Sequence, residues 1–243
     1  MNEPRAVALV PARAGSKRVR NKNVRELAGH PLLAYTLHAA RESGLFAAVV
    51  VSTESPDIAA VAARYGGEVP FLRPEEMAGD VSPDIEWVDY TLRRLREAGR
   101  DYDCFSLLRP TSPFRRPDTI QRAWNRFREC ADADSIRAVE KCRQHPMKMW
   151  VVEDDRLQPL IPGGPADVPW HSTPYQALPV VYAQNASLEI AWSRVVFEGR
   201  TIAGRVIAPF FTEGVEGFDI NDRFDWIAAE HLLRTGEARL PQL

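Results

Sequence analysis

The sequence predicts an α/β fold with a doubly wound, mainly parallel sheet, and two patterns in the first 140 residues lead to this prediction. Short apolar runs, each the length of a buried strand, alternate with longer stretches whose apolar residues recur at helical spacing. Serine, proline and glycine residues mark where these helices begin and end. Because strands that alternate with helices form βαβ units, most strands should run parallel, with helices on both faces of the sheet.

The individual elements follow in a regular order along the chain. Four helices carry start or stop signals: Ser55-Pro56 to Gly66, Ser82-Pro83 to Gly99, one that begins at Pro117, and a last one that stops at Gly236. The predicted strands are 7–10, 48–52, 68–71, 105–108, 135–139, 180–192 and 205–207. This succession predicts one sheet domain that spans residues 1–243.

Residues 140–180 interrupt this pattern. The segment is rich in proline, glycine and tryptophan and lacks a helical period, so we predict an inserted arm rather than a second core. Met149, Trp150 and Leu157 are among several apolar residues there, which together exceed what a free loop exposes to water. A second copy of the chain with two-fold symmetry is the simplest cover for this surface, and we therefore expect a dimerisation arm and a homodimer.

Composition excludes several classes of protein. The chain is 45% hydrophobic and 26% charged, as in ordinary globular proteins. Its formal net charge of −2 argues against a nucleic-acid partner. The sequence has neither an apolar run long enough to span a membrane nor a secretory signal. Its three cysteines form no CxxC pair, which favours reduced thiols in a cytoplasmic protein without a membrane partner.

The strongest local signal is the run PARAGSKRVRNKN, which follows the first predicted strand. Six cations lie within the thirteen residues from Arg13 to Arg25, and α/β sheets bind ligands at the carboxyl ends of their strands. Gly15 and Ser16 would allow the backbone to approach a bound anion and donate N–H groups to it. This combination predicts a triphosphate site, and the P-loop and dinucleotide motifs are absent. A solvated basic loop and an RNA-binding loop are the alternatives.

The same run resembles the signature of the acylneuraminate cytidylyltransferases, or CMP-sialic acid synthetases, whose relatives activate legionaminic and pseudaminic acids. Further segments are similar to that family in order and spacing: Arg73-Pro74 with Ala78, Asp80 and Ser82; Leu108 to Arg115; Gln184-Asn185-Ala186; and Phe218 to Asn221. The resemblance implies transfer of CMP from CTP to the anomeric hydroxyl of an acidic, sialic-acid-like sugar, with release of pyrophosphate. It also implies a Mg²⁺ cofactor and a dimer formed through an arm at this place.

The resemblance also implies a set of nucleotide-binding residues. Arg13, Lys17 and Lys22 would be catalytic, since nucleotidyl transfer requires neutralisation of the charge on the phosphates. The remaining nucleotide contacts would be Ala12, Gly15, Ser16, Asn23, Arg73, Ala78 and Ser82. Arg18, Arg20 and Arg25 are either further contacts or cations at the rim.

The acceptor and metal sites are implied in the same way. Arg109 stands where many sialic acid enzymes have glutamine, and it could bind the substrate carboxylate through two hydrogen bonds. The other expected sugar contacts are Thr111, Ser112, Gln184 and Asn185. The expected magnesium ligands are Asp219, Asn221 and Asp222, where Asn221 occupies the second acidic position of the family. For Asp222, a role as a residue at the helix N-terminus is an equal alternative.

Two other functions stay open at this stage. The first keeps the fold and CTP but changes the acceptor to a Kdo-like sugar or a phosphonate. The second is a catalytically silent nucleotide-binding protein, which the uncharged Asn221 suggests. No strong general base is visible in the motifs, and a bound metal could instead lower the pKa of the attacking hydroxyl.

Overall fold

The structure is a computed structural model that describes residues 3–243. The strands are β1 (Ala6–Pro11), β2 (Glu26–Leu27), β3 (His30–Pro31), β4 (Phe46–Ser52), β5 (Cys104–Leu107), β6 (Ser135–Lys141), β7 (Trp150–Glu153), β8 (Arg156–Pro159), β9 (Tyr182–Trp192) and β10 (Ile207–Phe211). The helices are α1 (Leu32–Glu42), α2 (Pro56–Arg64), α3 (Asp84–Glu97), α4 (Pro117–Glu129), α5 (Arg194–Phe197) and α6 (Arg223–Thr235).

The central sheet has six strands in the order β10-β6-β9-β5-β1-β4. β1 pairs in parallel with both β4 and β5, as expected for successive βαβ units. β9 then pairs antiparallel with β5, which makes the sheet mixed. The predicted α/β class is confirmed, with β9 antiparallel to β5 in the same sheet.

Alternating side chains of β1 enter different cores, and this makes the sheet doubly wound. Ala8 and Val10 pack in a core that includes residues of α1 and α4. Val7 and Leu9 point to the opposite face and pack in a core built on α3 and α5. Because successive side chains of a strand alternate between faces, helices cover both sides of β1. Trp226 of α6 belongs to a third, smaller cluster with residues of α1.

The chain divides into two compact units. The first runs to Ala138 and resumes at Asn185, and the second spans Val139–Gln184. The second unit contains the antiparallel β7–β8 hairpin and three short 3₁₀ turns. The predicted role of residues 140–180 as a dimerisation arm of a single domain stays a prediction. No helix within residues 3–243 is long and apolar enough to cross a membrane.

Several predicted helix ends are confirmed. The Ser55 side chain accepts a hydrogen bond from the backbone N–H of Ile58 (3.4 Å) and caps α2. Gly236 ends α6 with φ of 76°, in the left-handed region that favours glycine. Ser82, by contrast, was the wrong cap for α3. That helix begins at Asp84, and the Ser82 hydroxyl instead donates to the carbonyl of Glu76 (2.9 Å).

Two strand predictions were also wrong in detail. Residues 68–71 form no strand, and only Glu68 makes an isolated bridge to Val50. Pro70 lacks the N–H that would continue the pairing. The last strand lies at Ile207–Phe211 rather than 205–207, and the N–H groups of Arg205 and Val206 donate to the Asp134 side chain (2.7 and 3.1 Å) instead of to a neighbouring strand.

Candidate active site

An open pocket lies beyond the carboxyl ends of β1 and β5, the edge at which α/β sheets bind ligands. Four separate segments line it: the loop after β1, residues 73–87, the turn after β5 and the segment before α6. The lining residues are Pro11, Arg13, Ser16, Lys17, Arg18, Val19, Lys22, Asn23, Arg73, Met77, Ala78, Gly79, Asp80, Ser82, Asp84, Trp87, Arg109, Pro110, Thr111 and Asn221. Most of the predicted nucleotide-binding residues thus share one cavity, and Arg18 joins them.

Two cations of the loop after β1 share one carboxylate. Arg13 and Lys17 contact the two oxygens of Asp80 at 2.9 and 2.6 Å. Arg13 also donates to the backbone carbonyl of Gly79 (2.9 Å). The hydrogen bond from Lys17, helped by the charge of Arg13, lowers the pKa of Asp80. Phosphates that bind these cations would therefore take over contacts that Asp80 makes in the free protein.

Lys22 connects the same loop to the segment before α6. Its Nζ donates to the carbonyl of Ile220 at 2.7 Å. Burial lowers the pKa of Lys22, and the nearby Asp219 carboxylate partly opposes this shift. The buried Asn23 amide donates to the carbonyl of Arg13 (2.9 Å) and fixes the loop from inside.

Arg73 is 5% exposed and is held by a residue that sequence reasoning missed. Its Nη2 lies 3.3 Å from Oε2 of Glu54, whose Oε1 accepts the backbone N–H of Ala14 at 2.6 Å. Burial lowers the pKa of Arg73, and Glu54 opposes the shift. The one available signal for Glu54 was its position two residues after β4, at the edge of the sheet where ligands bind.

Arg109 is paired with two carboxylates of the protein. Its Nη2 contacts Asp84, and its Nη1 lies 3.1 Å from Glu189. Glu189 also contacts Arg137 at 3.1 Å. Both terminal nitrogens bind protein carboxylates in the free protein, so a bidentate pair with a substrate carboxylate would require Arg109 to leave these partners, and the predicted contact stays a prediction. Asp84 and Glu189 were not identified from sequence, since neither belongs to a contiguous motif with Arg109.

Arg115 supports the turn that carries Arg109 and Thr111. It is 1% exposed and donates to the Ser187 carbonyl, to Thr36 Oγ1 (2.8 Å) and to the Arg109 carbonyl (3.2 Å). Burial lowers the pKa of Arg115 to about 9. Thr111 lines the pocket, but the neighbouring Ser112 is fully buried and stands outside its lining.

Several other predicted contacts are engaged within the protein. The N–H of Ala12 donates to the Ser52 carbonyl (3.0 Å), and the N–H of Ser16 donates to the Ala14 carbonyl (2.8 Å). The Ser16 N–H would have to leave the Ala14 carbonyl to bind an anion; Ser16 lines the pocket, and its contact with the nucleotide stays a prediction. The Asn185 amide bonds to Thr212 (2.9 Å) and to the N–H of Ser187 (3.2 Å). Gln184 lies in the second unit, and its sugar contact stays a prediction.

The two carboxylates near the start of α6 have different environments. Asp219 Oδ2 accepts from Asn221 Nδ2 (2.7 Å), whereas Asp219 Oδ1 is buried with no hydrogen-bond partner among the described residues. Asp222 Oδ1 accepts the N–H groups of Phe224 (2.7 Å) and Asp225 (3.1 Å), so Asp222 is the N-cap of α6. This matches the alternative given for Asp222.

A buried carboxylate oxygen without a partner is a suitable ligand for a hard cation. Across residues 3–243, no group of three His, Cys, Asp or Glu side chains is arranged to hold a metal ion. Magnesium bound to a nucleotide does not require such a group, since it takes one or two carboxylates together with phosphate oxygens. Asp219 fits that donor set, and Asn221, whose amide nitrogen donates to Asp219 Oδ2, also carries a carbonyl oxygen of the kind that magnesium binds.

The fold and this pocket define an α/β protein with a basic ligand site at the strand ends. The family model for cytidylyltransferases matches residues 7–136, which is more than half of the chain, and the chain belongs to this family. It is 33% identical over 244 residues to the CMP-N,N'-diacetyllegionaminic acid synthase of Legionella pneumophila, covering 97% of this chain and 99% of that protein. It is 30% identical over 220 residues to the N-acylneuraminate cytidylyltransferase of Escherichia coli, covering 90% of this chain and 50% of that protein.

Solved structures support the same fold. A CMP:2-keto-3-deoxy-manno-octonic acid synthetase complexed with CTP superposes with a TM-score of 0.67 at 12% identity and covers 96% of this chain and 99% of its own. A 4-diphosphocytidyl-2C-methyl-D-erythritol synthase from Anaerococcus prevotii gives a TM-score of 0.64 at 13% identity and covers 95% and 96%. At such low identity these likenesses show the fold alone.

Proposed function

We propose that this chain transfers CMP from CTP to the anomeric hydroxyl of a nonulosonic, sialic-acid-like acid and releases pyrophosphate. One observation carries the proposal: the loop after β1 gathers Arg13, Lys17 and Lys22 in the pocket that Arg73 also lines. Such a pocket suits a polyanion joined to a flat polar base. The names of the two curated relatives supply the acceptor class.

In the proposed reaction the acceptor oxygen forms a bond to the α-phosphorus, and the bond from that phosphorus to the bridging oxygen of pyrophosphate breaks. The hydroxyl proton is lost to solvent. Arg13, Lys17 and Lys22 would stabilise the charge that accumulates on the phosphates. Arg73, with Asn23, Ala78 and Ser82 nearby in the pocket lining, would bind the cytidine part. The chain thus contributes orientation and charge, as expected for phosphoryl chemistry.

We assign Mg²⁺ to Asp219, with Asn221 as a neutral second ligand. The support for this assignment is the buried Oδ1 of Asp219, which lacks a hydrogen-bond partner among the described residues. When bound, the ion would neutralise phosphate charge and lower the pKa of the attacking hydroxyl. The hydrogen bond from Lys22 to the Ile220 carbonyl keeps the loop after β1 close to the Asp219 carboxylate. Asp222 is committed to the helix cap and is the weaker candidate.

The acceptor side of the pocket is formed by Arg109, Pro110 and Thr111. Since Asp84 and Glu189 neutralise Arg109, this side can accept sugar hydroxyls through Thr111 without a free cation at its centre. The predicted contact of Arg109 with the substrate carboxylate would require Arg109 to exchange these partners for the substrate. The homodimer and the cytoplasmic location also belong to this proposal, the former on the apolar arm and the latter on the three unpaired cysteines.

Two assays test the proposal. Thermal shifts with CTP, ATP, GTP and UTP in the presence of magnesium should show stabilisation by CTP of about 2–4 kcal/mol at saturation. Equal shifts for all four nucleotides would contradict cytidine recognition. Pyrophosphate release should then be followed with CTP and a panel of nonulosonic acids, Kdo and phosphonates. If only Kdo or a phosphonate supports turnover, the proposed nonulosonic acceptor is wrong. If pyrophosphate release occurs with none of the acceptors, the chain is a catalytically silent nucleotide-binding protein.

A further inference from the structure

We propose that Glu54 is a positioning residue for nucleotide recognition. Its carboxylate binds both the loop after β1 and Arg73 and so fixes their positions relative to each other. The inference deepens the proposed function, because it assumes that Arg73 binds the base and the loop after β1 binds the phosphates. Glu54 is not among the described residues that line the pocket. Any effect it has on the nucleotide must therefore pass through its two partners.

The two oxygens of Glu54 serve different segments. Oε1 accepts the N–H of Ala14 at 2.6 Å, in the middle of the loop after β1. Oε2 accepts from Arg73 Nη2 at 3.3 Å, nineteen residues further along the chain than Glu54. Ala14 is flanked by Arg13 on one side and by Gly15 and Ser16 on the other. One side chain therefore links the segment expected at the phosphates to the residue expected at the base.

Glu54 itself is held on a rigid part of the fold. It lies between β4 and α2, after the fully buried Thr53 and before Ser55, the N-cap of α2. The Thr53 carbonyl accepts the backbone N–H of Arg73 at 2.9 Å, so the end of β4 binds Arg73 through both backbone and side chain. A site group is positioned precisely when such rigid elements fix its supports.

The charge of Glu54 is needed as well as its shape. Arg73 is 5% exposed, and a buried cation without a partner is costly. A glutamine at position 54 has one amide oxygen that can accept and one NH₂ group that can only donate. Its two partners, the Ala14 N–H and the Arg73 guanidinium, are both donors. One of the two contacts would then be lost. Arg73 Nε already lacks an acceptor among the described residues, so loss of the Nη2 contact would free the side chain to move.

The test is steady-state kinetics of Glu54→Gln with CTP and UTP. We expect KM for CTP to rise about tenfold, which corresponds to about 1.4 kcal/mol of binding, while kcat changes less than threefold. The preference for CTP over UTP should fall by a similar factor, because a misplaced Arg73 no longer distinguishes the bases. A change in this ratio is what a purely structural role would not produce.

The matched control is Glu68→Gln, which removes a carboxylate that pairs with Arg100 at 2.7 Å on the surface. It should leave KM and the CTP/UTP preference unchanged. Glu54→Gln combined with Arg73→Gln should lose no more selectivity than Arg73→Gln alone, because Glu54 acts through Arg73. Glu54→Asp keeps the charge but is one methylene shorter, and should change both quantities in the same direction if Glu54→Gln does not fold.

Distinct outcomes separate this inference from the proposed function. If the wild type prefers CTP but Glu54→Gln keeps its KM and its CTP/UTP ratio, Glu54 is structural and the inference is wrong. A fall in kcat at constant KM would also overturn it, since it would place Glu54 in the chemical step. If the wild type shows no preference for CTP, the proposed function fails first and the inference fails with it.

Discussion

Gly15 is a position where the fold itself does not require glycine. A Cβ built on Gly15 would meet no described atom within 4 Å, and its φ lies outside the left-handed region. The residue is also exposed. The chain alone would therefore accept alanine here, whereas the proposed triphosphate would give a reason for glycine if it approaches the backbone closely.

Gly15→Ala should separate these two requirements. We expect the free energy of unfolding to stay constant or rise by about 0.4–1 kcal/mol, because alanine restricts the unfolded chain. The affinity for CTP should fall about tenfold, since the methyl group would meet the phosphates; calorimetry measures both quantities on one sample. Unchanged CTP affinity would mean that the anion does not approach the backbone at this residue.

The lowered pKa of Lys22 leads to a prediction of how activity depends on pH. Burial lowers the pKa of Lys22 below the ordinary 10.5, so its charge is lost at a lower pH than that of a free lysine. If the charge binds the triphosphate, kcat/KM for CTP should fall on the alkaline side with a midpoint below 10.5. Lys22→Arg keeps its charge throughout and should move that midpoint upward. A midpoint that stays in place in Lys22→Arg would assign the titration to another group.

At the scale of elements, the start of α6 places two carboxylates three residues apart in opposite roles. Asp222 satisfies two N–H groups of the first helical turn and forms a capping box with Asp225. Asp219 precedes the helix and leaves one buried oxygen without a partner among the described residues. The element thus uses Asp222 for its own stability, whereas Asp219 takes no part in the cap and is the carboxylate that we propose for the cation.

Paired substitutions test this division. Asp219→Ala should cut turnover by about 10² or more, if the metal contributes several kcal/mol of charge stabilisation, and should leave α6 intact. Asp222→Ala should lower the free energy of unfolding by about 1 kcal/mol through loss of the cap, with a smaller effect on turnover. Denaturation curves and magnesium titrations of both variants distinguish the roles. Normal activity of Asp219→Ala at limiting magnesium would refute the metal assignment.

Sequence punctuation predicted those elements whose signals are local. Ser55 caps α2 and Gly236 ends α6 because each acts on backbone groups within one turn of itself. The strand predicted at residues 68–71 was wrong because their apolar pattern is typical of a strand, whereas Pro70 limits pairing to a single bridge. The prediction that Ser82 caps α3 was wrong because its hydroxyl donates to the Glu76 carbonyl, a partner outside the helix.

At the scale of the whole molecule, the sequence predicted which segments form the site but not how their charges pair. The loop after β1 and residues 73–82 meet in one pocket because both follow the carboxyl edge of the sheet. The ion pairs of Arg109 were not predicted because its partners Asp84 and Glu189 lie 25 and 80 residues away along the chain. Glu54 was missed for the same reason. Contacts between distant carboxylates and arginines follow from the fold, and a motif does not contain them.

The second unit exposes an apolar surface that favours assembly into a homodimer. Its β7–β8 hairpin is exposed along both strands, and the apolar side chains of Val152 and Leu157 are 68% and 59% exposed. Met149, Trp150, Leu160 and Ile161 are exposed as well. An isolated two-stranded hairpin is at best marginally stable in water, and an apolar surface of this kind marks an interaction site.

We therefore predict a homodimer in which a second copy covers this hairpin. Light scattering at micromolar concentration should give twice the 27.3 kDa mass of the chain. Val152→Lys combined with Leu157→Lys should shift the mass to that of the monomer, because two charges would be buried without partners. Glu153→Lys, an exposed change of charge in the same hairpin, retains the apolar surface and should remain dimeric. A wild-type mass near 27.3 kDa would show that the chain is a monomer and that the hairpin has no second copy to cover it.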